Sequence, residues 1–153
     1  MAAIERGEFR CVVIVPQGTL LNCATTSVVF PAHDGYVGIW PNHMPMFCKL
    51  GLGIMEIKQA DGENSRNGRA HLFIDGGFAL LSSNLLTITA YEAISLEGAG
   101  AEKVRQTVEK FRRRLATGAY TPHQRWCEEK KLSLLLRLAH LYGYAEEQGA
   151  TAK

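Results

Sequence analysis

The apolar residues of this chain keep two different periods, and the change from one to the other just after Glu92 restricts the folds open to it more than any other feature. From Glu8 to Thr89 the pattern is one of short β-branched and aromatic runs: FRCVVIV, TSVVF, YVGIW, MFCKL, GIMEIKQ, RAHLFI, FALLS and LLTITA. Between them stand Gln17-Gly18, Asp34-Gly35, Asp61-Gly62, Asn67-Gly68, Gly76-Gly77 and Ser83-Asn84, which supply the positive φ that tight connections need. This spacing predicts eight or more short strands in an antiparallel β-sandwich or flattened barrel. Asp75-Gly76-Gly77, directly after HLFI, reads as one of the hairpin turns.

Beyond Glu92 the period becomes about 3.6. Ala101, Val104, Val108, Phe111 and Leu115 fall on one narrow helical stripe that ends near Gly118, and the other faces carry Lys103, Arg105, Lys110, Arg112, Arg113 and Arg114. Thr121, Pro122 and Gln124 form a capping-box start for a second helix, because a threonine side chain and a glutamine three residues on can satisfy each other's backbone N–H groups. That helix holds Trp126, Leu132, Leu134, Leu135, Leu136, Leu138 and Leu141, a wider apolar surface than one neighbour can cover. Two antiparallel helices joined by Gly118–Thr121 follow, with a frayed tail from Glu146. The expectation is an α+β chain with a β-sandwich domain over 1–93 and a helical hairpin domain over 94–153, hinged at SLEGAG, residues 95–100.

With 153 residues the chain can bury a core without staples. Cys11, Cys23, Cys48 and Cys127 are scattered, with no C-x-x-C pair, which disfavours structural zinc and redox motifs and suggests buried reduced thiols in a cytoplasmic protein. The opening MAAIERGEFR has no apolar region of the kind a signal peptide needs, and no apolar run reaches the roughly 20 residues of a membrane span, so direct membrane insertion is not expected. Residues 1–92 carry six Lys/Arg against eight Asp/Glu, whereas residues 93–153 carry eleven against seven. The helical part is therefore a basic segment suited to an acidic partner.

A catalytic constellation cannot be assembled. His33, His43, His71, His123 and His140 show no metal-ligand spacing, and no serine stands in a G-x-S-x-G elbow. Neither a G-x-x-x-x-G-K-[ST] loop nor a G-x-G-x-x-G turn is present, so neither cofactor nor metal is expected. Arg112-Arg113-Arg114 fits a solvated helix face, a phosphate backbone or an acidic protein surface. No recognition motif or aromatic stacking platform supports nucleic acid. One stretch stands out, GYVGIWPNHMPMF at 35–47, where Pro41 and Pro45 prevent a continuous strand or helix and impose a strand, a fixed turn and a second strand.

The stretch from VVIVPQGTLL through GIMEIKQADG, followed by FIDGGFALLSSNLLTITAYEA, resembles the epsilon subunit of bacterial F-type ATP synthase, whose central motif G-x-L-G-I-x-P-G-H-x-P-L stands here as Gly35 to Met46. The resemblance is specific over residues 8–93 and rests mainly on hairpin architecture beyond them. It implies a non-catalytic central-stalk subunit at the cytoplasmic face of the bacterial inner membrane. Its partners would be the gamma subunit, the c ring and the alpha/beta catalytic head. It further implies that the segment around His33, Asp34, Tyr36, Trp40, Asn42, His43 and Met44 lies at the rotor interface. Contacts to the catalytic head that restrain ATP hydrolysis are expected from Arg112, Arg113, Arg114, Arg125, Lys130 and Lys131. Asn42 replaces the usual glycine and can keep the turn, since asparagine tolerates positive φ. Tyr36 replaces a commonly acidic residue. The I/L-D-x-x-R-A motif with which some members bind ATP aligns with ISLEGA, where Ser95 and Gly98 stand in place of the aspartate and arginine, so no nucleotide binding is expected. A stand-alone β-sandwich module with a basic hairpin for nucleic acid is the alternative reading, and a hydrolase using His43 and Asp34 is a third.

Overall fold

The computed structural model describes residues 7–60 and 68–144. The expected turn at Asp61-Gly62, Asn67 of the next turn, the N-terminal MAAIER and the tail from Glu146 lie outside the described residues. The order of elements is β1 (Phe9–Val15), β2 (Gly18–Ala32), β3 (Gly35–Ile39), β4 (Met46–Gln59), β5 (Arg69–Ser82), β6 (Leu85–Ser95), α1 (Ala101–Thr117) and α2 (Pro122–Leu141). Two compact units divide the chain, Met1–Ser95 and Leu96–Lys153.

In the first unit the sheet runs β1-β6-β5-β4-β2-β3, and a further β1–β2 pairing closes it, leaving β3 as a flap on β2. The first half of the long β2 pairs with β1 and its second half with β3 and β4, with irregular register at the change-over. One strand thus serves both sides of a flattened barrel and removes an exposed edge. Inward-facing Phe9, Cys11, Val13, Val28, Phe30, Ile39, Leu50, Met55, Ile57, Leu72, Ile74, Leu81, Leu86 and Ile88 make its core. Thr25 is the one polar side chain buried there among the described residues, and its Oγ1 donates to the Lys58 carbonyl at 2.5 Å.

Two expectations are corrected. The described residues hold six strands where eight or more short ones were expected, because MFCKL joins GIMEIKQ as β4, and RAHLFI joins FALLS as β5. Asp75-Gly76-Gly77 is accordingly no hairpin turn: Leu52 still faces Asp75 and Leu50 faces Gly77 in one unbroken register, and β6 pairs across the same positions. Gly76 and Gly77, at φ 64° and 117°, bend β5 without ending it, and a Cβ on Gly77 would come 1.9 Å from the Thr89 carbonyl oxygen. The barrel is antiparallel, as expected, at every seam but one, where β1 pairs with β6 in parallel.

The second unit is a helical hairpin. Val104, Val108 and Phe111 of α1 are buried, as are Leu135, Leu138 and Ala139 of α2. Ala101, placed on the same stripe by sequence, is exposed, and Trp126 and Leu141 are also exposed. The capping box closes as its residues dictate: Gln124 N–H donates to Thr121 Oγ1 at 3.3 Å, and Thr121 N–H donates to Gln124 Oε1 at 3.0 Å. At the C-terminus of α1, the Gly118 N–H and the Tyr120 hydroxyl both donate to the Arg114 carbonyl, satisfying a group that helix geometry leaves without a partner.

Candidate interaction surface

The segment that the sequence singles out folds as a turn on a frame. His43 N–H donates to the Trp40 carbonyl at 3.3 Å, with Pro41 and Asn42 at the two central positions and Asn42 at φ 62°. Proline first and positive φ second is the signature of a type II turn, so asparagine does serve where the motif has glycine. Trp40 lays its ring across Gly38, where a Cβ would stand 2.8 Å from it, yet remains 60% exposed. Met44 is 73% exposed, and His43 Nδ1 lies 2.7 Å from the Met44 carbonyl. His33 and Asp34 form the two-residue β2–β3 connection and are exposed. Tyr36, on β3, reaches over Gly53 so that its hydroxyl accepts from the Ile54 N–H at 3.4 Å.

The outer face of β4, β5 and β6 carries a second feature that alternation alone does not single out. Phe47, Phe78, Leu80, Leu85 and Tyr91 all project outward there and are 40–66% exposed. Phe47 and Phe78 stack at 5.5 Å, Phe78 meets Tyr91 edge-on at 6.4 Å, and Tyr91 lies over the bare backbone of Gly76. Aromatic rings held in register on the solvent side of a sheet make this a candidate docking face, since a polar outer row would be the default for a half-solvated sheet. The signal was present in the even-spaced Phe78 and Leu80, but the supposed turn at Asp75–Gly77 hid that they share a face with Tyr91. The Ser83-Asn84 turn, with φ of 51° and 57°, ends this face and touches the Trp40–Met44 loop.

In the helical unit the basic residues are less uniform than the count implied. Arg112, Arg113, Arg125 and Lys130 are exposed. Arg113 pairs with Glu109 at 3.2 Å, Arg114 sits over the Phe111 ring at 5.0 Å, and Lys130 sits over Trp126 at 4.9 Å. Lys131 pairs with Glu128 at 3.0 Å, and only 17% of its side chain is exposed. Two grooves on this hairpin are lined chiefly by α1 residues and by α1 with α2; neither includes His43 or Asp34. Among the described residues no cluster of three or more His, Cys, Asp or Glu could hold a metal, and no helix is long and apolar enough to cross a membrane.

The family model of the ATP synthase delta/epsilon chain β-sandwich domain matches residues 8–96. The chain belongs to the ATP synthase delta/epsilon family. The chloroplastic ATP synthase epsilon chain of Chlamydomonas reinhardtii is 30% identical over 63% of this chain and 69% of its own length. The ATP synthase epsilon chain of Leptospira interrogans is 34% identical over 70% of this chain and 76% of its own length. The fold is shared with a chain of the Euglena gracilis mitochondrial ATP synthase, solved as OSCP/F1/c-ring, at a TM-score of 0.59 and 18% identity over 93% of this chain and 85% of that one. A nucleic-acid module finds no support beside this membership of the delta/epsilon family.

Proposed function

We propose that this chain is a non-catalytic central-stalk subunit that joins gamma to the c ring of an ion-translocating F-type ATP synthase, peripheral to the membrane on its cytoplasmic side, and that its helical hairpin restrains ATP hydrolysis by the alpha/beta head. The observation that carries the reading is the outward aromatic face of β4–β6, tied by hydrogen bonds to the Trp40–Met44 turn. Trp40, Met44, Phe47, Phe78 and Tyr91 are anchors of the kind that dominate protein interfaces, while His33, Asp34, Tyr36, Asn42 and His43 shape the rim. Bond chemistry stays with the head; this subunit transmits and limits rotation.

The brake rests on the exposed cations of the hairpin. Single exposed ion pairs contribute only about 0–1 kcal/mol, so several must act together. Arg112, Arg113 and Arg114 lie in one turn of α1, with Arg125 and Lys130 on α2, and Lys131 is set apart by its pairing with Glu128. The test is reconstitution. The tagged chain is expected to capture gamma, and Arg112→Glu/Arg113→Glu/Arg114→Glu should raise the ATPase rate of the assembled enzyme, less so at high salt where screening already weakens the contact. Truncation after Gly98 should raise it at least as much. Unchanged ATPase rates for both variants in stoichiometric assemblies, across salt concentrations, would remove the brake from the reading, and failure to capture gamma would remove the stalk.

A further inference from the structure

We propose that Asn42 and Asn84 form a two-way amide clamp that positions the Trp40–Met44 turn beside the aromatic face, so that Asn84, 42 residues away on the β5–β6 connection, is a positioning residue for docking. The inference rests on the docking role given above to that turn. Its geometry is specific. The Asn42 backbone N–H donates to Asn84 Oδ1 at 2.8 Å, and Asn84 Nδ2 donates back to Asn42 Oδ1 at 3.1 Å. Asn84 is itself held, because its carbonyl accepts from the Arg10 N–H at 2.9 Å at the start of β1. Both asparagines sit at positive φ, 62° and 57°, where glycine is the easier residue.

Glycine would relax the backbone at either position, but it would abolish one bond of the exchange at 42 and both bonds at 84. With glycine at 42 the return bond from Asn84 Nδ2 has no acceptor; with glycine at 84 the Asn42 N–H loses its partner. The turn lacks any strand pairing of its own between Trp40 and Pro45, since β3 ends at Ile39 and β4 begins at Met46. Its orientation is therefore set by its own Trp40–His43 bond, by the Trp40 ring lying across Gly38, and by this clamp, which ties it to the end of the face carrying Leu80 and Leu85. Docking on a rotor needs both surfaces in fixed relation, and loose turns lose affinity through the ordering they require on binding.

The amide chemistry supplies a test that separates a clamp from two independently useful residues. Asn42→Asp leaves Asn84 Nδ2 a carboxylate to donate to and keeps the backbone bond. Asn84→Asp still accepts from the Asn42 N–H, and a flipped Asn42 amide can donate to its second oxygen. Each single variant should keep the turn. Asn42→Asp/Asn84→Asp sets two acceptors against each other at neutral pH, and protonation of one carboxyl, which the like charge beside it moves above the ordinary aspartate range, restores a donor.

The experiment measures amide exchange protection at Asn42 and His43 in the full-length chain, together with docking of each variant to the gamma–c-ring assembly. Protection should change less than threefold in either single variant and fall about tenfold or more in the double variant at pH 7, with recovery at acid pH, while β5 and β6 amides stay protected. Asn84→Gly, which keeps positive φ, should lower protection at Asn42 and weaken docking about tenfold. Additive effects of the two aspartates, or full protection in Asn84→Gly, would overturn the clamp. Lost protection with unchanged docking would leave the clamp standing and show that the turn is not the docking segment.

Discussion

Single residues in this barrel are constrained by backbone proximity more than by side-chain volume. Gly77 combines φ 117° with the Thr89 carbonyl 1.9 Å from any added Cβ, so Gly77→Ala must push β6 off β5. We expect a loss of at least about 2 kcal/mol in urea unfolding, the range of severe single-site strain. Burial pushes the Cys11 thiol far above its ordinary range, with Cys23 adding to the effect. A thiol whose folded pKa is raised stays neutral in the folded barrel while the unfolded chain ionises, so Cys11 makes stability fall as pH rises through about 8.5, and not before. Iodoacetamide at pH 8 should alkylate Cys11 only once urea opens the barrel. At Cys48 the pKa is raised first by burial and then by the charge of Asp34. Asp34→Asn should accordingly speed alkylation of Cys48, which peptide mass spectrometry reads directly; no change would deny that the two groups sense each other.

Among the elements, α2 begins where its sequence says it must, and that start is the part of the hairpin most open to a single substitution. Thr121 and Gln124 satisfy each other's N–H groups, and Pro122 enters where a missing N–H costs nothing. Thr121→Ala should cost about 1 kcal/mol and speed exchange in the first turn of α2, while Thr121→Ser should retain most of the cap. Equal exchange in both variants would mean that packing along α2, not the cap, holds its N-terminus. The strands behave differently. Glycines within β4 and β5 look like punctuation in a list of residues, yet both strands run through them and keep one register with each other, although β4 shifts register against β2 across Gly51 and Gly53. What a glycine does there depends on the neighbouring chain: Gly76 makes room for the Tyr91 ring and Gly53 for the Tyr36 hydroxyl, neither of which is near in sequence.

On the scale of the molecule, the β-unit contains its own core, its own closure through β1–β2 and every strand pairing described. A fragment covering residues 1–95 is expected to unfold cooperatively and to give a dispersed amide spectrum. Ending the fragment at 93 removes Ile94 and Ser95, which face Phe73 and Leu72 on β5, and should lower the urea midpoint without abolishing the fold. A disordered spectrum from the longer fragment would contradict its independence.

The sequence by itself determined the two kinds of structure and their order, the capping box of α2 and the turn at Pro41-Asn42, while β6 runs on to Ser95, past the change of period after Glu92. Each of these is local: a period, a cap or a proline acts within a few residues, and the physics that reads it is already in the chain. The family membership was legible for the same reason, in the run from Gly35 to Met46. Only the tertiary structure decided that β1 lies parallel to β6, that Asp75-Gly76-Gly77 bends a strand instead of ending it, that Phe47, Phe78 and Tyr91 share one outer face, and that Asn84 holds Asn42. Each joins residues far apart along the chain, and local periodicity carries no information on which strand lies beside which. Lys131 shows the same division within one residue. Its charge and its i,i+3 neighbour Glu128 were legible, whereas its half-buried position was set by packing.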